Sequence, residues 1–210
     1  MMEMMDMNRR HIWGGGVTML SLIAVAVLLA SCQGPTGFRR DASYPAYSGT
    51  VPIMGRGSAT VPQLASFLLQ EHPEADAQEV LSLAEIYVEE ARIEGVNHDV
   101  AFCQMCHETN YLRFDGDVRR NQNNFAGIGA TGGVPGDSFK SERIGIRAQI
   151  QHLKAYASTG RLRRPLVDPR FWRVPRGSAP YVENLTGKWA ADPSYDVKVI
   201  RIFRSLTAQP

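Results

Sequence analysis

Four side chains capable of chemistry lie within six residues in the middle of the chain: Cys103, Cys106, His107 and Glu108. A Cys-x-x-Cys-His run in an exported protein is typical of covalent haem attachment, which uses both thiols and takes the histidine as an axial ligand. A haem also needs a second axial ligand and an apolar pocket, yet no methionine follows Met105. We therefore favour two small apolar core cysteines, with haem attachment and a metal site as the weaker alternatives.

The remaining reactive group of this run is the carboxyl of Glu108, which follows an otherwise apolar helical stretch. Such a carboxyl is either solvated at a helix end or held beside a cleft. A glycine-rich segment begins about 15 residues later, and backbone that lacks side chains can approach a ligand closely. Burial beside apolar groups would raise the pKa of Glu108, which is the condition for a general acid near neutral pH.

Apolar residues recur at helical spacing through most of the chain after residue 60, which predicts a mainly α fold. Asp, Asn and Ser side chains at the starts of these stretches are typical N-caps. Residues 123–138 are too rich in glycine for a helix, and we predict a loop or a short hairpin there. Residues 160–180 contain four prolines and are predicted to form a long loop. The predicted helices cover residues 61–72, 76–95 and 97–109, a stretch that begins at Ser141, and a last one that begins at Asp192-Pro193.

Residues 1–31 are predicted to be a lipoprotein signal peptide. Arg9 and Arg10 precede an apolar run of 14 residues, which is shorter than the roughly 20 that a membrane-spanning helix needs. The cysteine that follows Ala30-Ser31 lies as in a bacterial lipobox, so we expect Cys32 to carry lipid and to hold the protein to a membrane. The alternative is an ordinary cleaved signal with a chance cysteine.

The residue after Cys32 is Gln33 rather than an aspartate, which favours the outer membrane of a two-membrane bacterium, with the domain facing the periplasm. Residues 32–60 are rich in Gly, Pro, Ser and Tyr and are predicted to be a flexible tether. Residues 61–210 are then predicted to form the folded domain. The formal net charge of +2 suits an anionic wall polymer, and the lack of a basic run argues against nucleic acid as a partner.

Four stretches resemble motifs of one family. They are Val100-Ala101-Phe102-Cys103-Gln104-Met105-Cys106-His107-Glu108-Thr109, the turn Asn124-Phe125-Ala126-Gly127-Ile128, the stretch from Phe139 through Gly145 to Tyr156, and Trp189-Ala190-Ala191-Asp192-Pro193-Ser194-Tyr195 with Lys198. In this order they resemble bacterial glucosaminidases of the glycoside hydrolase 73 type over about residues 78–206. The resemblance implies a mainly α, lysozyme-like domain with a small glycine-rich hairpin lobe. It also implies cleavage of the glycan strand of peptidoglycan, without a cofactor or a metal.

The resemblance implies roles for individual residues. Glu108 matches the general acid, and Tyr195 matches a tyrosine of the cleft that stabilises charge or holds the N-acetyl group. Substrate contacts are implied for residues on the acid's helix, in the turn and after it: Gln104, Asn124, Phe125, Gly127 and Phe139. For Phe139 a place in the core is an equal alternative.

One departure from the family concerns the second carboxylate. Many members carry a second glutamate in the hairpin, but residues 127–137 contain none, and Asp137 and Glu142 are the nearest acids. Glu142 is more simply a favourable charge at a helix N-terminus. Hydrolysis by two carboxylates is therefore not assured, and the acetamido group of the substrate is the alternative. We expect an endo-β-N-acetylglucosaminidase, with a lytic transglycosylase or a non-catalytic wall-binding lipoprotein as alternatives.

Overall fold

The computed structural model describes residues 49–209. This part of the chain is a mainly helical, lysozyme-like domain with one small glycine-rich hairpin, as predicted. The central helix, α3, contacts all four of the others. The helices are α1 (Val61–Glu71), α2 (Ala77–Glu94), α3 (His98–Glu108), α4 (Glu142–Ala157) and α5 (Tyr195–Thr207), and the strands are β1 (Ala130–Thr131) and β2 (Val134–Pro135).

The helix starts follow from local side-chain chemistry. Asp76 accepts the Glu79 N–H at 2.8 Å, Asn97 accepts the Asp99 N–H at 3.0 Å, and Ser141 caps α4. Each side chain satisfies a backbone donor that has no partner within its helix. These short polar residues therefore set the starts of α2, α3 and α4.

The last helix starts later than predicted, at Tyr195 rather than at Asp192. The Asp192 carboxylate accepts the Ser194 N–H at 2.9 Å and the Lys198 ammonium at 2.5 Å. An aspartate that bonds the backbone two residues on forms a turn in place of a helical one. Asp192 therefore closes the turn that precedes α5.

The core is built around α3, whose residues 100–106 are all buried. Cys103 and Cys106 are free thiols with no exposed surface, and burial raises the pKa of both well above its usual value. Thioether attachment needs both sulfurs at the edge of a pocket that admits the porphyrin. The core interpretation of the two cysteines is therefore confirmed, and the haem interpretation is excluded.

The segment just before α1 is packed against the domain, which corrects the predicted tether boundary. Val51 and Ile53 are buried, and the Glu183 carboxylate accepts the Val51 N–H at 3.1 Å. Farther along, Asp99 accepts the Ser58 N–H at 2.7 Å. Alternate side chains of a short extended segment enter the core here, so the domain begins near residue 51 and not at 61.

The signal peptide, Cys32 and most of the tether lie outside the described residues, and those predictions stay predictions. Between residues 49 and 209, none of the helices has the length and apolar character needed to cross a bilayer.

The hairpin is joined to the helical body through the turn that precedes it. Asn124 is fully buried; its amide donates to the carbonyls of Ile128 and Asp137, both at 2.9 Å, and its oxygen accepts the Ile128 N–H at 3.0 Å. The Asn123 carbonyl lies against Gly145 of α4, where an added Cβ would be only 1.7 Å away. Gly145 thus lets the turn approach α4 closely, and the fully hydrogen-bonded Asn124 side chain fixes the hairpin to that turn.

Candidate active site

Glu108 is the last residue of α3, and its carboxyl reaches a cavity of about 350 Å³ between the helical body and the hairpin. Thr109 follows as the C-cap, and its hydroxyl donates to the Met105 carbonyl at 2.8 Å. The side chain of Glu108 is half-buried. The cavity is lined by Glu108, Asp117, Val118, Ala126, Gly127, Ala130, Thr131, Gly132, Trp189, Ala190 and Ala191.

A chain of buried hydrogen bonds ends on Glu108. The Tyr87 hydroxyl donates to Gln149 Oε1 at 2.5 Å, and Gln149 Nε2 donates to Gln104 Oε1 at 2.9 Å. Gln104 Nε2 donates to Tyr195 Oη at 2.9 Å, and the Tyr195 hydroxyl donates to Glu108 Oε1 at 2.5 Å. All four donors point the same way, and bonds aligned like this polarise one another. Oε1 of Glu108 thus always receives a hydrogen bond from the core.

The pKa of Glu108 is raised to about 7. Desolvation by burial is the main cause, because it disfavours the charged carboxylate. Hydrogen bonds from Tyr195 and Trp189 oppose part of the rise, because they stabilise the charged form. The balance leaves the carboxyl able to carry a proton close to neutral pH, as a general acid must.

The oxygen of Glu108 not bonded to Tyr195 faces the hairpin. A Cβ added at Gly127 would lie 3.2 Å from Oε2, and Gly127 has a φ of +61°, which side chains other than glycine rarely tolerate. The missing side chain leaves room for a ligand atom beside this oxygen. Because Oε1 accepts from Tyr195, Oε2 is the oxygen of this carboxyl that is left to carry a proton.

Trp189 forms another wall of the cavity and is held by aromatic neighbours. Its ring centroid lies 4.9 Å from that of His152 and 5.8 Å from that of Tyr156. His152 Nδ1 is 2.7 Å from the Asp168 carboxylate, which is buried. The indole therefore presents a fixed apolar surface, which suits stacking on a sugar ring.

Three residues predicted to contact substrate do not face the cavity. Gln104, Asn124 and Phe125 have no exposed surface. Gln104 belongs to the hydrogen-bond chain and Asn124 saturates the turn, while Phe125 packs edge-on against Phe114 at 6.1 Å. These residues support the site without touching a ligand. A buried amide whose hydrogen bonds are all made within the protein has no donor or acceptor free for a sugar. Tyr195 is also buried, so it touches Glu108 rather than opening onto the cleft.

The remaining predicted residues divide between the site and the scaffold. Gly127 lines the cavity. Asp137 and Glu142 are not among the residues that line the cavity. Asp137 bonds Arg170 at 2.8 Å, and Glu142 pairs with Arg120 at the start of α4. Phe139 is half-buried against the small apolar cluster of Ala126, Ile128 and Ala148, which is the core alternative.

Among the lining residues that were not predicted as site residues, Asp117 carries the only ionisable side chain and Trp189 the only aromatic one. Trp189 opens the last of the four motifs, and that position was the signal. Asp117 lies nine residues after Glu108 in what reads as a spacer, and only the path of the chain brings it to the cavity that Glu108 lines. No group of three or more His, Cys, Asp or Glu side chains within residues 49–209 is arranged to hold a metal ion.

Comparison with known proteins identifies the family of the chain. The family model of mannosyl-glycoprotein endo-beta-N-acetylglucosaminidase, the glucosaminidase family, matches residues 84–208, which confirms the resemblance. An uncharacterized protein of Borreliella burgdorferi (strain ATCC 35210 / DSM 4680 / CIP 102532 / B31) is 46% identical over 155 residues, which cover 73% of this chain and 76% of the relative. No solved structure matches the chain significantly.

Proposed function

We propose that this chain, which belongs to the glucosaminidase family and is a glycoside hydrolase acting on a glycan, cleaves peptidoglycan strands as an endo-β-N-acetylglucosaminidase. The bond cut is the β-1,4 link from N-acetylglucosamine to the next sugar. The observation that supports this most is Glu108, a carboxyl with a pKa of about 7 that faces a cavity beside a glycine turn and an indole.

In this proposal Glu108 donates the proton on Oε2 to the glycosidic oxygen as that oxygen leaves the sugar. The approach of the bond is open because Gly127 carries no side chain. Tyr195 keeps Oε1 engaged, so the carboxyl does not rotate away from the strand. Trp189 supports the face of one sugar ring.

The experiment that tests the function is digestion of purified peptidoglycan, followed by borohydride reduction and mass spectrometry of the fragments. We expect fragments that end in reduced glucosamine. Fragments that end in anhydromuramic acid would identify a lytic transglycosylase instead. Binding to the strands without release of any fragment would identify a non-catalytic wall-binding protein.

Replacement of Tyr195 by phenylalanine tests how the acid is positioned. We expect kcat to fall by about tenfold, because fixing a catalytic group in the productive geometry contributes strongly to rate. The hydroxyl lowers the pKa of Glu108, so its loss raises that pKa, and the high-pH limb of the rate profile should move to higher pH. The measurement is kcat as a function of pH.

Tyr181→Phe is the control, since Tyr181 is 39% exposed and does not line the cavity. Its pH profile should match that of the unchanged protein. An unshifted limb in Tyr195→Phe would show that the hydroxyl does not act on Glu108.

Attachment to the outer membrane through a lipidated Cys32, with the domain in the periplasm, is part of the same proposal and rests on the sequence alone.

A further inference from the structure

Only two ionisable side chains line the cavity within the described part of the chain, Glu108 and Asp117. We propose that Asp117 is the second catalytic carboxylate and acts as the general base that activates the attacking water. This inference rests on the proposed glycosidase function, because a water-activating base has a role only if a glycosidic bond is hydrolysed.

The two acids nearest the hairpin in sequence are already engaged elsewhere. Asp137 bonds Arg170 at 2.8 Å. Glu142 forms an ion pair with Arg120, which also pairs with Glu79. Asp117 differs, because no Lys, Arg or His among residues 49–209 forms an ion pair with it. It is exposed and open to solvent water.

The hairpin holds the Asp117 side chain at the cavity. The Gly133 N–H, in the turn between β1 and β2, donates to Asp117 Oδ2 at 3.3 Å. Gly132 of the same turn and Val118, which follows Asp117, both line the cavity, and Val118 is buried. The backbone donor and the cavity-lining neighbours thus place the Asp117 carboxylate on the hairpin side of the cavity that Glu108 also lines.

The segment that joins Glu108 to Asp117 has an energetically unfavourable backbone conformation that hydrogen bonds hold in place. Four residues in it have left-handed backbone with φ between 47° and 66°: Asn110, Tyr111, Leu112 and Phe114. Left-handed conformation costs a residue with a side chain about 1–2 kcal/mol, and strain of this kind concentrates at functional sites.

Backbone and side-chain hydrogen bonds impose that conformation on the connection. The Tyr111 N–H donates to the Cys106 carbonyl at 2.8 Å and the Phe114 N–H to the Thr109 carbonyl at 2.9 Å. The Leu112 N–H donates to Thr109 Oγ1, also at 2.9 Å. The fold thus maintains an unfavourable path that brings position 117 back to the cavity.

The proposed step is a single displacement. Asp117 takes a proton from water as the water oxygen forms a bond to C1 of the N-acetylglucosamine. The bond from C1 to the glycosidic oxygen breaks on the opposite face, and that oxygen takes the proton of Glu108. The products are a reducing N-acetylglucosamine with inverted, α configuration and a free hydroxyl on the next sugar.

The test compares the full-length protein with Asp117→Asn and with the matched control Asp115→Asn on soluble peptidoglycan strands. Asp115 is an exposed aspartate of the same loop that bonds Asn110 and does not line the cavity. We expect kcat to fall about a hundredfold or more in Asp117→Asn and to stay near normal in Asp115→Asn. Proton NMR at early times should show the α anomer, and azide should restore turnover of Asp117→Ala by forming an α-glycosyl azide.

Near-normal kcat in Asp117→Asn, equal losses in the two aspartate variants, or the β anomer as first product would each overturn the role of Asp117. The glycosidase function would stand in those cases, provided that the unchanged protein cuts the strands and Glu108→Gln does not. If the unchanged protein releases no fragment, the proposed function fails and this inference fails with it.

Discussion

Replacing Glu108 with glutamine is expected to lower kcat by about 10²–10⁴-fold, the usual contribution of a general acid. The amide cannot give up a proton, yet its oxygen can still accept the Tyr195 hydroxyl, so the hydrogen-bond chain survives. In the unchanged protein kcat should fall as pH rises through about 7, because the acid then loses its proton. Release of reducing ends from peptidoglycan across a pH series measures both effects.

Glu85→Gln, an exposed position on α2, is the matched control and should keep its activity. Folding is checked by the free energy of unfolding in urea. Because the pKa of Glu108 rises from 4.5 to about 7 on folding, the folded state binds more protons than the unfolded state between these values. The stability of the unchanged protein should therefore fall as pH rises through that window.

The glutamine variant lacks this titration, so its stability relative to the unchanged protein should increase from pH 5 to pH 8, with pH values chosen to bracket the pKa of about 7. Normal turnover by Glu108→Gln would remove the residue from its role. A relative stability that does not vary with pH would show that the carboxyl is not desolvated.

A large loss of stability is expected from Gly145→Ala, although alanine normally stabilises a helix interior by up to about 1 kcal/mol over glycine. The new Cβ would lie 1.7 Å from the Asn123 carbonyl oxygen and 2.9 Å from its carbon. Asn123 cannot easily retreat, because its amide donates to the Phe139 carbonyl at 3.0 Å. Overpacking of a close-packed site typically costs about 1–3 kcal/mol, and a contact this short places Gly145→Ala at the upper end, which thermal unfolding would detect.

The same change should lower activity, since Asn123 leads into the turn that carries Gly127. Gly116→Ala is the control, because no atom lies within 4 Å of the Cβ position there, and its Tm should barely change. An unchanged or higher Tm in Gly145→Ala would contradict the close contact between α4 and the hairpin turn.

Features governed by neighbouring residues could be predicted from the sequence. Asp76, Asn97 and Ser141 each cap a helix within three residues of themselves, so the starts of α2, α3 and α4 were accessible. The position of Glu108 could be predicted for a similar reason, since residues 100–106 of α3 are mostly apolar and Glu108 is the carboxyl that follows them.

Features that depend on distant contacts could not be predicted. The Val51 N–H donates to the Glu183 carboxylate. No feature of the sequence near residue 51 indicates a partner so far along the chain. Gln104 and Asn124 have the residue type of sugar-binding amides, but whether such an amide points inward or outward depends on the packing around it. Asp117 becomes a site residue only through the left-handed path after α3.

The two native thiols of α3 can be used to detect local unfolding of the domain. Cys103 and Cys106 belong to the helix that carries Glu108 and are buried in the core. The thiolate is the form that attacks a labelling reagent, and burial disfavours it. Labelling by a maleimide or disulfide dye must therefore await local or global exposure of that helix. The labelling rate would then report how often α3, the helix that carries Glu108, opens. No cysteine would have to be introduced for this measurement.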